Sequence, residues 1–298
     1  MGTDFSVNNL FFNPRVGINY KPADHFSLYF SFTRVSREPR LKEYYDAAES
    51  SGGAVPQFEQ RADGSFNFDE PFVKPETMND FELGASLNDE NYAVTLNLFY
   101  MLFNDEIVKN GQVDRFGQPI TGNVDKTVHL GAELSAIFKL FNDRIELFGN
   151  ATVSRNTIEE GKFFIDADNY IILSGNRISG FPDFLANIGV VFNTSGWYFR
   201  WSGKYVGEFF SDNYDKNLDT YLQQNPGFTD YTDNVNEAYF VSDYFASYEF
   251  PLLGAQNPWK VYLQVNNIFD NLYSAYVIGK EFFPAAERNW LAGIQVGL

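Results

Sequence analysis

Val128-His129-Leu130-Gly131-Ala132-Glu133-Leu134-Ser135-Ala136-Ile137 sets Val, Leu or Ala at every even position and His129, Gly131, Glu133, Ser135 and Ile137 between them. A period of two is the mark of a strand with one apolar and one polar or small face; a helix would repeat at three to four residues. The pattern stops at Phe141-Asn142-Asp143-Arg144, a tight turn, and alternation resumes behind it. The same signature recurs along the chain. Phe26, Leu28, Phe30 and Phe32 alternate with hydroxylated neighbours, and Phe81, Leu83, Ala85 and Leu87 with Glu82, Gly84, Ser86 and Asn88. Phe184 to Phe192 and Trp290 to Leu298 behave alike. Helical periodicity is almost absent.

Strands are expected at 13–21, 26–35, 79–88, 92–107, 127–139, 144–155, 184–194, 197–209, 238–250, 259–269 and 287–298, about 11 in all, with 3–12 as a weak twelfth. Their connections alternate between two kinds. Tight turns fall at Lys21-Pro22-Ala23-Asp24-His25, Asn88-Asp89-Glu90-Asn91, Phe141 to Arg144, Thr194-Ser195-Gly196 and, slightly longer, Pro251 to Pro258. Long polar stretches occupy 36–78, 108–126, 156–183, 210–237 and 270–286. Connections in compact domains have a median of about 4–6 residues. A regular short–long alternation is the habit of a transmembrane barrel, with short periplasmic turns and long extracellular loops. Strand length agrees, because a tilted strand crosses a bilayer in about 9–11 residues.

Composition removes the competing classes. The 22 Lys+Arg against 39 Asp+Glu give a net charge of -17, which excludes a nucleic-acid partner. Zero Cys excludes disulfide scaffolds and thiolate sites, and no run of about 18 apolar residues offers a membrane helix. An aromatic share of 18% is too high for disorder. Trp197 and Trp259 open strands directly after short turns, while Tyr20 and Phe250 end them, the placement of an interfacial belt. The opening residues lack a signal peptide's basic and apolar regions. Gly2 and Ser6 match a myristoylation pattern too loose to outweigh an N-terminus made by truncation. The sequons at Asn150 and Asn193 fall on or beside strands and are coincidental.

Orientation yields a parity argument. With the long loops outside the cell, both 13–21 and 287–298 run downward, so the strand number is odd. Single-chain bacterial barrels are even and closed, since an open edge in lipid leaves backbone groups unpaired. The segment is therefore expected to be part of a larger barrel.

Several motifs resemble those of TonB-dependent outer-membrane receptors. Phe12-Asn13-Pro14-Arg15-Val16-Gly17-Ile18-Asn19-Tyr20-Lys21-Pro22 is similar to a recurrent strand and turn of that family. Ser27 to Arg34 with Arg37-Glu38-Pro39 and Leu41 to Tyr45, then Lys74-Pro75-Glu76 and Glu82-Leu83-Gly84, resemble the strands that follow. Val265-Asn266-Asn267-Ile268-Phe269-Asp270-Asn271-Leu272-Tyr273 resembles the penultimate-strand signature, and Arg288 to Leu298 the closing strand, although the family more often ends in Phe. The resemblance implies an all-β fold, the C-terminal half of a 22-stranded antiparallel transmembrane β-barrel, with residues 1–298 as one partial barrel domain. Plug domain and TonB box would lie upstream. It further implies residence in the bacterial outer membrane, contact with its lipid, energy from TonB through the missing N-terminal region, and import of a small scarce nutrient such as an iron–siderophore. The rival is a passive porin forming an aqueous channel. A 16-stranded porin needs more strands than the chain supplies, and the 265–273 motif would go unexplained.

Candidate contact residues lie where strands meet loops. Arg34, Arg37 and Arg40 could hold an anionic ligand through bidentate bonds, against ion pairing with Glu38, Glu43 and Asp46. Tyr44, Tyr45, Tyr214, Tyr221, Tyr231 and Tyr239 offer aromatic surface for a sugar or siderophore, against loop packing. Gly293, Val296 and Leu298 form a Gly-x-x-apolar-x-apolar ending suited to edge recognition by barrel-assembly machinery, against a plain lipid-facing strand. Enzyme chemistry is not expected: His25 sits in a turn and His129 on a polar face, with no nucleophile in reach of a base. No cofactor motif appears. Asp215, Asn217 and Asp219 open like a calcium loop, but Thr220 and Pro226 break it. A looser calcium site among Asp212, Asp215, Asp219 and Asp230 stands against a solvated acidic loop.

Overall fold

The computed structural model describes residues 6–46, 55–56, 58–113, 119–165, 169–251 and 258–297. Eleven strands form one antiparallel sheet in strict sequence order. Numbered along the sheet they are β1 Arg15–Ala23, β2 Phe26–Arg37, β3 Glu76–Asn88, β4 Tyr92–Val113, β5 Pro119–Leu140 and β6 Ile145–Glu160. β7 Phe184–Thr194, β8 Trp197–Val206, β9 Tyr239–Phe250, β10 Trp259–Asn266 and β11 Asn289–Gln295 follow. β1 pairs only with β2 and β11 only with β10, so the sheet is open, with two free edges. Among the described residues no helix is long and apolar enough to cross a membrane.

Register shows why the alternation works. One row runs Leu28, Ala85, Leu96, Leu134, Ala151, Ala186, Tyr205, Phe240, apolar across eight neighbouring strands. The adjacent row runs Tyr29, Gly84, Asn97, Glu133, Thr152 and belongs to the other face. A strand slipped by one residue would put Glu133 in lipid and Leu134 in water, so the register is strongly specified. Apolar-face side chains such as Leu83, Leu98, Leu134, Ile188 and Ile294 are exposed, which in a bilayer is burial in hydrocarbon. At the short-turn end Trp197 sits against the Tyr248 ring at 4.5 Å, and Trp259 pairs with Phe250, so aromatic residues cluster there.

The polar face packs by a repeated device. Tyr29–Gly84, Phe99–Gly131, Phe148–Gly189 and Tyr262–Gly293 are direct cross-strand partners, and in each the ring lies over the glycine. A Cβ on Gly84, Gly189 or Gly293 would meet ring atoms at 2.1, 2.2 or 2.4 Å. The absent side chain is what lets an aromatic lie flat along the wall.

Several boundaries differ from expectation. The 108–126 stretch is not a loop: β4 continues to Val113 and β5 begins at Pro119, each 22 residues long, so this hairpin projects far beyond a bilayer. Beyond the membrane neither face meets lipid, so period-two apolarity fades although pairing continues. β6 likewise runs on to Glu160. β10 ends at Asn266 rather than 269, and residues 6–12 form no strand.

The buried core sits outside the wall. Val108, Val124, Ile158, Ile171, Leu173, Ile178, Tyr214 and Leu218 form one cluster, Tyr44, Phe58, Val73 and Ile107 a second, and Val206, Phe209 and Val277 a third. All draw on the long connections or the strand ends that carry them. A one-layer sheet has no interior, so the apolar clusters gather at the loops.

Candidate functional site

The connection 207–238 organises the loop head. It folds into a short strand pair, Phe209–Phe210 with Val235–Asn236, a 3-10 turn at Asp215–Asn217 and the helix α1, Leu218–Gln224. Ser211-Asp212-Asn213-Tyr214 is its hub, with Ser211, Asp212 and Asn213 buried along with the Tyr214 ring. Asn213 donates to the Lys109 carbonyl at 2.7 Å and accepts from the Ser179 N–H at 2.9 Å. Ser211 donates to the Gly279 carbonyl at 2.6 Å, and the Gly279 N–H returns a bond to the Ser211 carbonyl. Ser211 and Asn213 thus fasten the β4–β5 hairpin, the 161–183 connection and the 267–288 connection together. Gly111 and Gly279 touch where two of these cross: a Cβ on Gly279 would stand 2.1 Å from the Gly111 carbonyl oxygen, with φ at +51°.

Among the described residues Asp212 is the one carboxylate at full burial. Its Oδ1 accepts from the Tyr214 N–H and the Asn234 amide, both at 2.8 Å, and its Oδ2 from the Tyr231 hydroxyl at 2.9 Å. Burial pushes its pKa up to about 6, with the neighbouring Asp215 charge acting the same way, although these three donors favour the carboxylate. Burial also raises the Tyr214 and Tyr231 hydroxyls, and the Asp212 charge adds to it, so both phenols stay neutral.

Above the hub opens a cavity of about 490 Å³, lined by Tyr214, Phe228, Tyr231, Asp230, Lys280 and Glu281 among others. Tyr214 and Phe228 meet edge to face at 5.1 Å. Lys280 is held by Asp230 in an ion pair, which lowers the carboxyl and raises the ammonium. A second opening, about 500 Å³, lies on the polar face of β8–β10 between Arg200, Asp243, Lys260 and Gln264.

Sequence-predicted residues scatter. Tyr214 lines the cavity. Tyr221 backs the same cluster, donating to the Ile172 carbonyl at 2.9 Å and accepting from Asn176 at 3.0 Å. Arg37 pairs with Glu76 at 2.8 Å, and the buried Glu43 takes Arg40 at 2.7 Å. Burial works against the Glu43 carboxylate, yet the Arg40 bonds hold its pKa below the usual range. Tyr44 is buried against Phe58. Tyr45 opens a two-residue strand, Tyr45–Asp46; its side chain lies outside the described residues. Arg34 pairs in register with Asn79 and shares the apolar face with Leu28 and Phe30, so it does not join Arg37. The three arginines therefore form no common anion site. Gly293 lies in β11 under the Tyr262 ring, Val296 follows the strand exposed, and Leu298 is outside the described residues.

The calcium reading fails: among the described residues no group of three or more carboxylates and histidines could hold a metal. Asp212 is satisfied internally, Asp230 is taken by Lys280, and Asp215 accepts from the Arg177 and Lys216 N–H groups. His129 is buried between Phe103 and Phe181, with Nε2 3.1 Å from Glu106 Oε2 and Nδ1 2.8 Å from Asn156 Oδ1. Both ring nitrogens face oxygen acceptors, the arrangement an imidazolium satisfies, and the residue joins wall to loop. Phe228, Lys280 and Glu281 escaped the sequence reading because no local pattern links residues some fifty positions apart.

The penultimate-strand motif is a structural knot. Asn267, at φ +52°, donates to the Asn271 carbonyl at 2.9 Å and accepts the Asn271 N–H at 3.0 Å. The Asn271 side chain donates to the Phe240 carbonyl at 2.7 Å, and Asp270 accepts the Arg288 N–H at 2.7 Å. These bonds cap β10 and set where β11 begins.

The chain matches one family model, TonB dependent receptor-like, beta-barrel, over residues 2–268, a span that takes in the wall through β10. The chain belongs to that family. A comparison with curated proteins finds no match by sequence. Among solved structures, the ferric-catecholate import receptor Fiu from K12 E. coli aligns with a TM-score of 0.62 at 17% identity, over 94% of this chain and 34% of Fiu. The FrpB iron transporter from Neisseria meningitidis gives 0.62 at 19%, over 95% and 38%. BauA, the ferric preacinetobactin receptor from Acinetobacter baumannii, gives 0.63 at 15%, over 95% and 36%. The chain spans little more than a third of these structures, and the likeness is one of fold.

Proposed function

We propose that this TonB-dependent receptor barrel segment serves the import of a scarce nutrient, such as an iron–siderophore complex, across a bacterial outer membrane, with TonB supplying energy through a region outside this chain. The observation that carries the reading is the aromatic-lined cavity in a tied-down loop head, set on a wall whose one face is suited to lipid. A fixed, partly apolar recess is what capture of a small ligand from dilute solution needs, since pre-organisation lowers the entropic cost of binding. Among the sequence candidates Tyr214 backs the recess, packed on Phe228, and Arg37, Arg40, Tyr44 and Tyr221 would act by shaping the head. We also assign the free edge of β11, with Gly293, Val296 and Leu298, to recognition by barrel-assembly machinery. No feature of the wall or the family match supports a passive porin.

Uptake of radiolabelled iron chelates by a deletion strain carrying the intact gene tests the reading. TonB-dependent uptake that falls at least tenfold in the Phe228→Ala, Tyr231→Ala double variant is the expected result. Uptake by diffusion, unaffected by loss of TonB, would favour the porin.

A further inference from the structure

Resting on that reading, we infer that the loop cavity selects a metal chelate of zero or positive net charge and rejects polyanionic ones. Three observations converge. First, the cation at the cavity is spent. Lys280 is the cationic side chain lining the cavity, and Asp230 holds it. Arg37, Arg40, Arg177 and Arg288 pair with Glu76, Glu43, Asp183 and Asp270. Second, the negative charge is in surplus. Glu281 lines the cavity with no ion-pair partner among the described residues, and the connection 207–238 carries seven acids against Lys216 alone. Asp212 stands directly behind Tyr231 and adds its charge above pH about 6. Third, the partly exposed Phe228 and Tyr231 rings supply π-faces, which attract cations and pack on apolar ribs but offer nothing to an anion. A ligand with a free ammonium or several hydroxyl donors answers all three: the donors meet Glu281 and its hydrocarbon meets the rings. Field lines from a mostly acidic recess also slow the approach of an anion.

The test uses the full-length natural gene product in detergent and two gallium-loaded probes, a linear trihydroxamate bearing a free ammonium (net charge about +1) and a tricatecholate (net charge about -3). Binding is measured by calorimetry at low and high salt. Expected is at least tenfold tighter binding of the trihydroxamate at low salt, with the ratio narrowing as salt screens the field. Glu281→Gln should weaken the trihydroxamate three- to tenfold, and Asp230→Asn, by releasing Lys280, should strengthen the tricatecholate; Asp63→Asn, on an exposed turn away from the cavity, should change neither. Tighter binding of the tricatecholate, or a ratio indifferent to both cavity variants, overturns the inference while leaving the receptor reading standing. Binding of neither probe by a folded, heat-modifiable protein overturns both.

Discussion

Asp212 concentrates the energetics of the loop head in one proton. Its pKa in the folded head is pushed up to about 6, from 3.8 when the loop is released, so the folded state favours the protonated acid. The groups facing it are Tyr231, Asn234, the Tyr214 N–H and, across a short gap, Asp215. Its contribution to stability is full below pH about 4 and is lost as pH rises through about 6, a loss of roughly 3 kcal/mol at neutral pH. Amide exchange in 207–238 should therefore speed up between pH 4 and 7 beyond the intrinsic dependence. Asp212→Asn keeps an oxygen for Tyr214 and Asn234 and should flatten that profile; a slope unchanged in the variant would assign the effect elsewhere. The sequence showed the acid but not its burial. Asp212, Asp215, Asp219 and Asp230 read alike in a row of loop acids, and only the fold buries the first, pairs the last with Lys280 and leaves the others near solvent.

Elements carry a different logic, visible in the wall. Glycines on the polar face lie beneath rings of the neighbouring strand, but they are not equivalent. At Gly189 an added Cβ meets the outer atoms of the Phe148 ring at 2.2 Å, and the ring can swing aside. At Gly131 it meets the Val153 carbonyl oxygen at 2.4 Å as well as the Phe99 ring, and backbone cannot yield without breaking the β5–β6 ladder. Gly189→Ala should cost about 1–2 kcal/mol and Gly131→Ala clearly more, read as the order of midpoints in heat-modifiability assays of the intact receptor. Equal midpoints would show that the rings, not the ladder, set the cost. At the top of β10 the knot makes a parallel claim. Asn267→Ala removes the bonds to Asn271 and takes the amide donor from the Asn271 and Ala286 carbonyls, at about 1 kcal/mol. Limited proteolysis should then cut within 267–288 faster than in wild type, and an unchanged digest would assign the closure to Arg288 and Asp270. The motif resembles a family signature, but its bonding was not legible, because its partners Phe240 and Ser242 come from β9.

At the scale of the molecule, eleven strands is a decisive number. β1 and β11 run in the same direction, from the long-loop end to the short-turn end, and each presents an unpaired edge. Two copies in one membrane would bring β11 of one beside β1 of the other in parallel, against the antiparallel order of every other pair. Closure therefore calls for a further odd number of strands, and unpaired edges in lipid cost several kcal/mol per backbone group. Expressed alone, residues 1–298 should give no heat-modifiable monomer on gels; co-expression with the upstream strands of the same receptor should restore one. A compact, heat-modifiable species from the segment alone would refute the parity argument.

All eleven strands, their order and their two faces were determined by the sequence alone, because lipid on one side and water on the other impose a period of two that each strand writes locally. The short-turn ends and the aromatic residues there were legible for the same reason. The tertiary structure decided what that local code does not carry: that β4 and β5 run on past the bilayer, where no lipid enforces alternation, and that Arg34 and Arg37 sit apart. It also decided that Tyr214, Phe228, Tyr231 and Lys280 converge on one recess. Those relations join separate loops through buried hydrogen bonds, and a contact between distant segments leaves no periodic trace in either of them.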